Sequence, residues 1–315
     1  MRIARFDDDR IGLVRDGRVL DITDHLTDHL TARLTPGPGS LARRMVADFA
    51  HIRPLLEELA AGAGPSAGLP LDEVRLRSPI PDPTKIVAAP VNYRDHQAEM
   101  SEAFHVSALG FFLKSPSSLL DPGGTVRLPY CDRRFDHEAE FALVVGRRAT
   151  HVTPEEALDH VFGYTGLMDI TMRGGEDRST RKSFDTFTPM GPWLVTPDEL
   201  GSPDDVDLEL TVNGTPRQKA NTRDLIWPAA RFLAYVSTVT VLEPGDVITT
   251  GTPAGVAPIQ DGDTVDLIVD RIGRLTVGVT AESAVPCPTG GAERGPIPPA
   301  APQTGPSQLS ASRPS

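Results

Sequence analysis

Phe135-Asp136-His137-Glu138-Ala139-Glu140-Phe141-Ala142-Leu143-Val144-Val145-Gly146 is the stretch on which the fold turns. Its second half is apolar, rich in β-branched residues and closed by Gly, the pattern of a buried strand of about five to seven residues. Side chains two apart on a strand share a face. Glu138 and Glu140 therefore point the same way, beside an apolar core. Two parallel carboxylates repel, and burying them unpaired is costly. Three arrangements compensate: a proton held between them, basic partners, or a cation. A hard divalent ion such as Mg2+ takes oxygen ligands. The plainer alternative is a solvent-facing strand whose outward positions are Glu.

The 315 residues suffice for a full core, as one large domain or two smaller ones. The net charge is −12 and no Lys/Arg-rich run occurs, which argues against nucleic acid or an anionic membrane as partner. No apolar run is long enough to span a bilayer. Met1 to Asp9 turns acidic at once, without the apolar region of a secretory signal. Two cysteines, Cys131 and Cys287, argue against a disulfide framework and fit a reducing cytoplasm. Asn213-Gly214-Thr215 matches a glycosylation acceptor but reads as an Asn-Gly hairpin turn.

Short strands with Asp-rich and Asp-Gly punctuation are expected over 1–22. Residues 41–62 have helical spacing, with Pro54 kinking or splitting the helix. Residues 71–76 read as a further strand. Pro79, Pro81 and Pro83 make an extended linker, so 1–80 is expected as a small α+β accessory domain and 81–284 as the catalytic one. A strand starting at Lys85 runs into Arg94-Asp95-His96-Gln97-Ala98-Glu99-Met100, of helical composition. His96 and Glu99, three apart, share a helix face. A carboxylate that orients a His is a general-base arrangement, and it is also an ordinary solvated pair. Residues 109–114 read as a buried strand ending in Lys114. Thr153, Pro154 and Glu156 mark a capped helix. The apolar run 162–172 carries one acid, Asp169, which needs a partner and is a candidate third ligand.

Residues 173–182 form a charged, Gly-containing loop whose three Arg and one Lys either hold an anionic substrate or are solvated. Residues 206–212 and the Asn-Gly turn begin a hairpin; 225–241 have helical spacing; 242–256 are turn, strand and Gly-rich loop. That loop has no nucleotide-binding pattern, though its amides and the Thr252 hydroxyl suit a carboxylate. Two β runs follow, over 262–269 and 273–279. From about residue 285 the composition turns to Pro, Gly, Ala, Ser and Gln, and 285–315 is expected to be disordered.

In order and spacing, these segments resemble the fumarylacetoacetate hydrolase family in its bacterial branch, which includes fumarylpyruvate and acylpyruvate hydrolases and 2-hydroxyhepta-2,4-diene-1,7-dioate isomerases. The resemblance runs from about residue 85 to 280, through Asn92-Tyr93-Arg94-Asp95-His96, residues 112–118, Glu138-Ala139-Glu140, Gly163 through Asp169, residues 182–187, Gly191-Pro192-Trp193 and residues 242–256. It implies a mixed, β-rich α+β fold with a β-roll catalytic domain, in a homodimer. It implies Mg2+, Mn2+ or Ca2+ held by Glu138, Glu140 and Asp169, with His96 and Glu99 on a short lid helix. The implied chemistry is cleavage of a C–C bond in a 1,3-dicarbonyl keto acid, with His96 activating water and Lys182 stabilising negative charge or protonating the leaving group. Thr252, with Tyr93 and Lys114, would contact the small anionic substrate. The alternatives are a decarboxylase or keto–enol isomerase in the same site, and a non-catalytic binding protein. The chain departs from the family pattern at Pro90-Val91 and at Gly174 to Arg178, which leaves the metal site intact and the substrate open.

Overall fold

The computed structural model describes residues 1–32 and 39–292. Its frame is a 12-stranded sheet. At its centre lies Ala139–Val145, every residue of which is buried. That strand pairs antiparallel with Val161–Met168 on one side and Val247–Thr249 on the other. Beyond the latter come Ile86–Ala88, in parallel, and Phe112–Lys114. Beyond Val161–Met168 come Thr188–Val195 and Arg2–Phe6, Arg10–Arg15 and Arg18–Asp21.

The alternation expected of the central strand is used on both faces. Phe141, Leu143 and Val145 belong to a core shared with the Ala229–Val239 helix and with a five-stranded sheet holding Asp207–Val212, Thr264–Val269 and Gly273–Thr280. Ala142 and Val144 belong to a second core with Ile3, Ile11, Leu26, Met45, Ile52 and Leu56. A strand covered on both faces reads as a continuous apolar run, and no position on it is left facing water.

The described residues of 1–80 contribute strands to this sheet and side chains to the second core. Arg2 pairs with Val195 and Ile3 with Leu194, and Ile3 and Ile11 pack with Ala142 and Val144. The linker near residue 80 is thus a change of composition without a break in the apolar packing. The helical stretch 41–62 splits at Asp48, into Leu41–Ala47 and Phe49–Gly62, with Pro54 inside the second helix. The Asp48 N–H closes the first helix on the Arg44 carbonyl at 3.1 Å, and its own carbonyl opens the second by accepting from Ile52 at 3.2 Å. Leu71–Glu73 is a 3-10 turn rather than part of a strand. In 109–114 only Phe112–Lys114 is strand, and only Lys114 in it is fully buried. The Asn213-Gly214 turn joins Asp207–Val212 to Thr215–Asn221 as expected. Of the 285–315 segment, residues 285–292 are described, with Val285 bridged to Tyr130; the remainder lies outside the described residues. No described helix is long and apolar enough to cross a membrane.

Candidate active site

The buried strand expected in the second half of 135–146 is Ala139–Val145, and Glu138 stands just before it, after the short strand Phe135–His137. There the chain passes from a three-stranded sheet into the large one. Asp169 follows directly on Val161–Met168, and its N–H donates to the Glu138 carbonyl at 2.9 Å. This extends the pairing of Ala139 with Met168 and sets the two carboxylates side by side. Glu138, Glu140 and Asp169 each offer an oxygen, all within 4.8 Å of one another. They are 4%, 1% and 0% exposed, which removes the solvent-facing alternative.

Basic partners compensate part of this charge. Lys182 Nζ donates to Glu138 Oε2, Asp169 Oδ2 and Thr171 Oγ1, each at 2.6 Å. Lys114 Nζ donates to Asp169 Oδ1 and, at 3.1 Å, to the Phe187 carbonyl. Arg173 bridges Glu138 at 2.8 Å and Asp136 at 2.7 Å. Burial raises the Glu138 carboxyl, but Lys182 and Arg173 hold it well below the usual carboxylate range. Burial pulls the Lys114 ammonium down, against the attraction of Asp169.

Glu140 differs. Its Oε2 accepts from the Thr249 hydroxyl and from the Gly251 N–H at 3.0 Å, and among the described residues it has no cation within salt-bridge reach. Burial, then repulsion from Asp169, pushes it up to about 8. A buried carboxylate lacking a counterion beside two others, all hard oxygen donors, suits a divalent cation. The residues present fit that group.

The three carboxylates line a small cleft together with His96, Lys182, Thr252, Arg173, Arg178 and Arg181. His96 stands on the Arg94–Glu99 helix and is buried. Its Nδ1 lies 3.0 Å from Glu99 Oε2, and Glu99 Oε1 accepts the Gly255 N–H at 2.9 Å. The short helix is thereby tied to the Gly-rich loop. Gly255 has φ +99°, and a Cβ there would fall 2.1 Å from the Arg217 carbonyl oxygen, so this approach requires glycine.

Six of the nine sequence-expected site residues face the cleft or the pair beside it: Glu138, Glu140, Asp169, His96, Lys182 and Thr252. Glu99 backs His96. Tyr93 and Lys114 lie outside the lining: the Tyr93 hydroxyl is buried with no hydrogen-bond partner among the described residues, and Lys114 sits behind Asp169. Desolvation of Tyr93 pushes its phenol upward, so it stays neutral. Arg173 was hidden within the charged loop. Its signal was parity, because Asp169, Thr171 and Arg173 are two apart on an extended segment. Gln218 had no signal. It accepts from the Ala139 N–H at 2.9 Å, donates to Thr252 Oγ1 at 2.7 Å and meets His137 Nδ1 at 3.0 Å, contacts made by the register of a distant hairpin. Arg181 is buried, held by the Glu176 carbonyl at 2.8 Å and the Met172 carbonyl at 3.3 Å, with no carboxylate partner among the described residues. Burial and the Arg173 charge both disfavour its cationic form.

Residues 85–280 match the Fumarylacetoacetate (FAA) hydrolase C-terminal family. The chain is 41% identical over 291 residues to a maleylpyruvate hydrolase of Aquipseudomonas alcaligenes, covering 89% of this chain and 99% of that one. Among solved structures, a maleylpyruvate hydrolase from Sphingobium sp. SYK-6 in complex with manganese (II) ion and pyruvate superposes with a TM-score of 0.77 at 39% identity, covering 89% of this chain and 99% of that one. A 2-hydroxyhepta-2,4-diene-1,7-dioate isomerase from Mycobacterium marinum gives a TM-score of 0.67 at 29% identity, covering 90% and 99%. The match over the whole catalytic region, on a sheet that carries the buried acidic triad, makes this chain an enzyme of the fumarylacetoacetate hydrolase family.

Proposed function

We propose that the protein is a divalent-metal-dependent hydrolase that cleaves the C–C bond of an acylpyruvate, of the maleylpyruvate or fumarylpyruvate type, into pyruvate and a carboxylic acid. The observation that carries this reading is the placing of His96, backed by Glu99, in the same cleft as three buried carboxylates. Glu138, Glu140 and Asp169 would hold the ion, Mn2+ or Mg2+. When bound it would supply Lewis-acid polarisation of the substrate's keto oxygen.

The protein's own groups account for the rest. With Nδ1 turned to Glu99, His96 has Nε2 free to act as the base. Nε2 takes a proton from water as the water oxygen adds to the acyl carbonyl. The bond between that carbon and the pyruvate methylene then breaks, its electron pair leaves on the pyruvate side, and a proton returns to the methylene carbon. The Lys182 ammonium, whose three N–H groups are held by Glu138, Asp169 and Thr171, would stabilise that negative charge through its positive field. Gln218 donates to the Thr252 oxygen, which leaves the Thr252 hydrogen for the substrate carboxylate. Arg181 and Arg178 line the cleft and suit a second carboxylate on the acyl end.

The test is turnover of maleylpyruvate, fumarylpyruvate and acetylpyruvate with Mn2+ or Mg2+, and after EDTA. Metal-dependent release of pyruvate is expected; turnover unaffected by EDTA would refute the reading. Keto–enol isomerisation without cleavage is the second reading, favoured by the likeness to the M. marinum isomerase. It needs His96 and Lys182 only as proton carriers, and an isomerised product with no pyruvate would establish it. A homodimer is part of the proposal, checked by light scattering in solution.

A further inference from the structure

Beyond the matched residues 85–280 the described chain runs on to residue 292, against residues 131–133 and the loop that follows Arg173. The Val285 carbonyl accepts the Cys131 N–H at 3.1 Å, and the Cys287 N–H donates to Asp132 Oδ1 at 2.8 Å. Thr289 then meets the loop that follows Arg173. The Thr289 hydroxyl donates to Glu176 Oε1, as does Arg133 Nη2, which also donates to the Thr289 hydroxyl oxygen at 2.7 Å and carbonyl at 3.2 Å. Two residues on, the Gly291 carbonyl accepts the Gly175 N–H at 2.9 Å. The Arg133 guanidinium thus ties the 285–292 segment and the Glu176 loop together through one side chain.

Glu176 faces two ways. Its side chain is held by Arg133 and Thr289, while its carbonyl accepts Arg181 Nε at 2.8 Å. Arg181 is thereby fixed in the cleft wall by backbone carbonyls, with no acidic side chain to hold it among the described residues. The loop 173–177 has two consecutive glycines and no apolar side chain to anchor it. Unheld, such a segment samples many conformations.

We propose that residues 285–292 form a strap that holds Glu176 and through it positions Arg181 for the acidic acyl end of the substrate. Thr289, Arg133 and Glu176 are then positioning residues for specificity. The substrate half of this inference rests on the acylpyruvate reading; the strap itself does not.

The test uses the full chain with Thr289→Val and Gly291→Ala combined. A Cβ at Gly291 would lie 2.3–2.5 Å from the Glu176 carboxylate, so the pair removes one bond and pushes the strap away. Two measurements are read. Hydrogen–deuterium exchange of peptides covering 173–182 is expected to quicken in the variant, with the central strand unchanged. KM for fumarylpyruvate is expected to rise by about tenfold or more while kcat, and KM for acetylpyruvate, change by less than about threefold. Thr289→Ser alone, which keeps the hydroxyl, is expected to behave as wild type. Exchange no faster than wild type overturns the strap, whatever the protein acts on. Equal KM increases for the two substrates overturn the specificity role. Faster exchange in a protein that cleaves no acylpyruvate supports the strap and discards only the substrate reading.

Discussion

His96 Nδ1 lies 3.0 Å from Glu99 Oε2, and the second oxygen of the same carboxylate is held by the Gly255 N–H at 2.9 Å. The Arg94–Glu99 helix and the Gly-rich loop are thus joined through one side chain. Replacing Glu99 by Gln keeps the shape but removes the charge that sets the imidazole tautomer. Glu99→Gln is expected to lower kcat by roughly tenfold and His96→Ala by roughly a hundredfold or more, both with metal affinity retained. Steady-state kinetics alongside Mn2+ titration checks this; unchanged turnover in His96→Ala would remove His96 from the mechanism.

Gly255→Ala reaches the same contact from the other side. The added methyl meets the Arg217 carbonyl, and φ +99° strains any non-glycine residue. The loop must shift, and Glu99 loses its N–H donor. A fall in kcat with an unaltered metal stoichiometry is expected, together with a stability loss of about 1–3 kcal/mol in denaturant unfolding.

Glu140 is expected to make metal binding depend on pH. Its carboxyl is pushed up to about 8 by burial and Asp169, so the metal-free protein is expected to hold a proton there at neutral pH. A cation must displace that proton. Mn2+ affinity is therefore expected to fall by up to about tenfold for each pH unit below about 8 and to level off above it. Mn2+ titration at pH 6, 7, 8 and 9 reads this directly, and an affinity flat across that range would contradict it. Glu140→Ala is expected to abolish metal binding and activity while the protein still folds.

Asp246 belongs to the same sequence motif as Thr252 but holds the fold. It is fully buried, accepting from Thr84 N at 3.0 Å, Lys85 N at 3.1 Å, Lys85 Nζ at 2.6 Å and Glu243 N at 2.8 Å. These bonds lock Val247–Thr249 against Ile86–Ala88, beside the site. Asp246→Ala leaves those donors unpaired, and a loss of about 3 kcal/mol is expected as a lower denaturant midpoint.

What the sequence by itself determined was local. Strand alternation made Glu138 and Glu140 share a face, the apolar run around Asp169 marked it as an acid needing partners, and His96 with Glu99 followed from helical spacing. The Asn213-Gly214 hairpin and the paired strands after residue 262 were legible for the same reason, since turn chemistry and period are properties of neighbours. Only the tertiary structure decided which charges meet. Lys182 and Arg173 reach Glu138 because one folded segment carries both back across the carboxylate pair. Tyr93 and Lys114 fell behind the cleft rather than into it, and Gln218 reached Thr252 through the register of a remote hairpin. The break in the long helix fell at Asp48 and not at Pro54, and residues 1–80 joined the common core instead of standing apart. Burial of a charge is settled by the whole chain packing around it, and no spacing along the sequence carries that information.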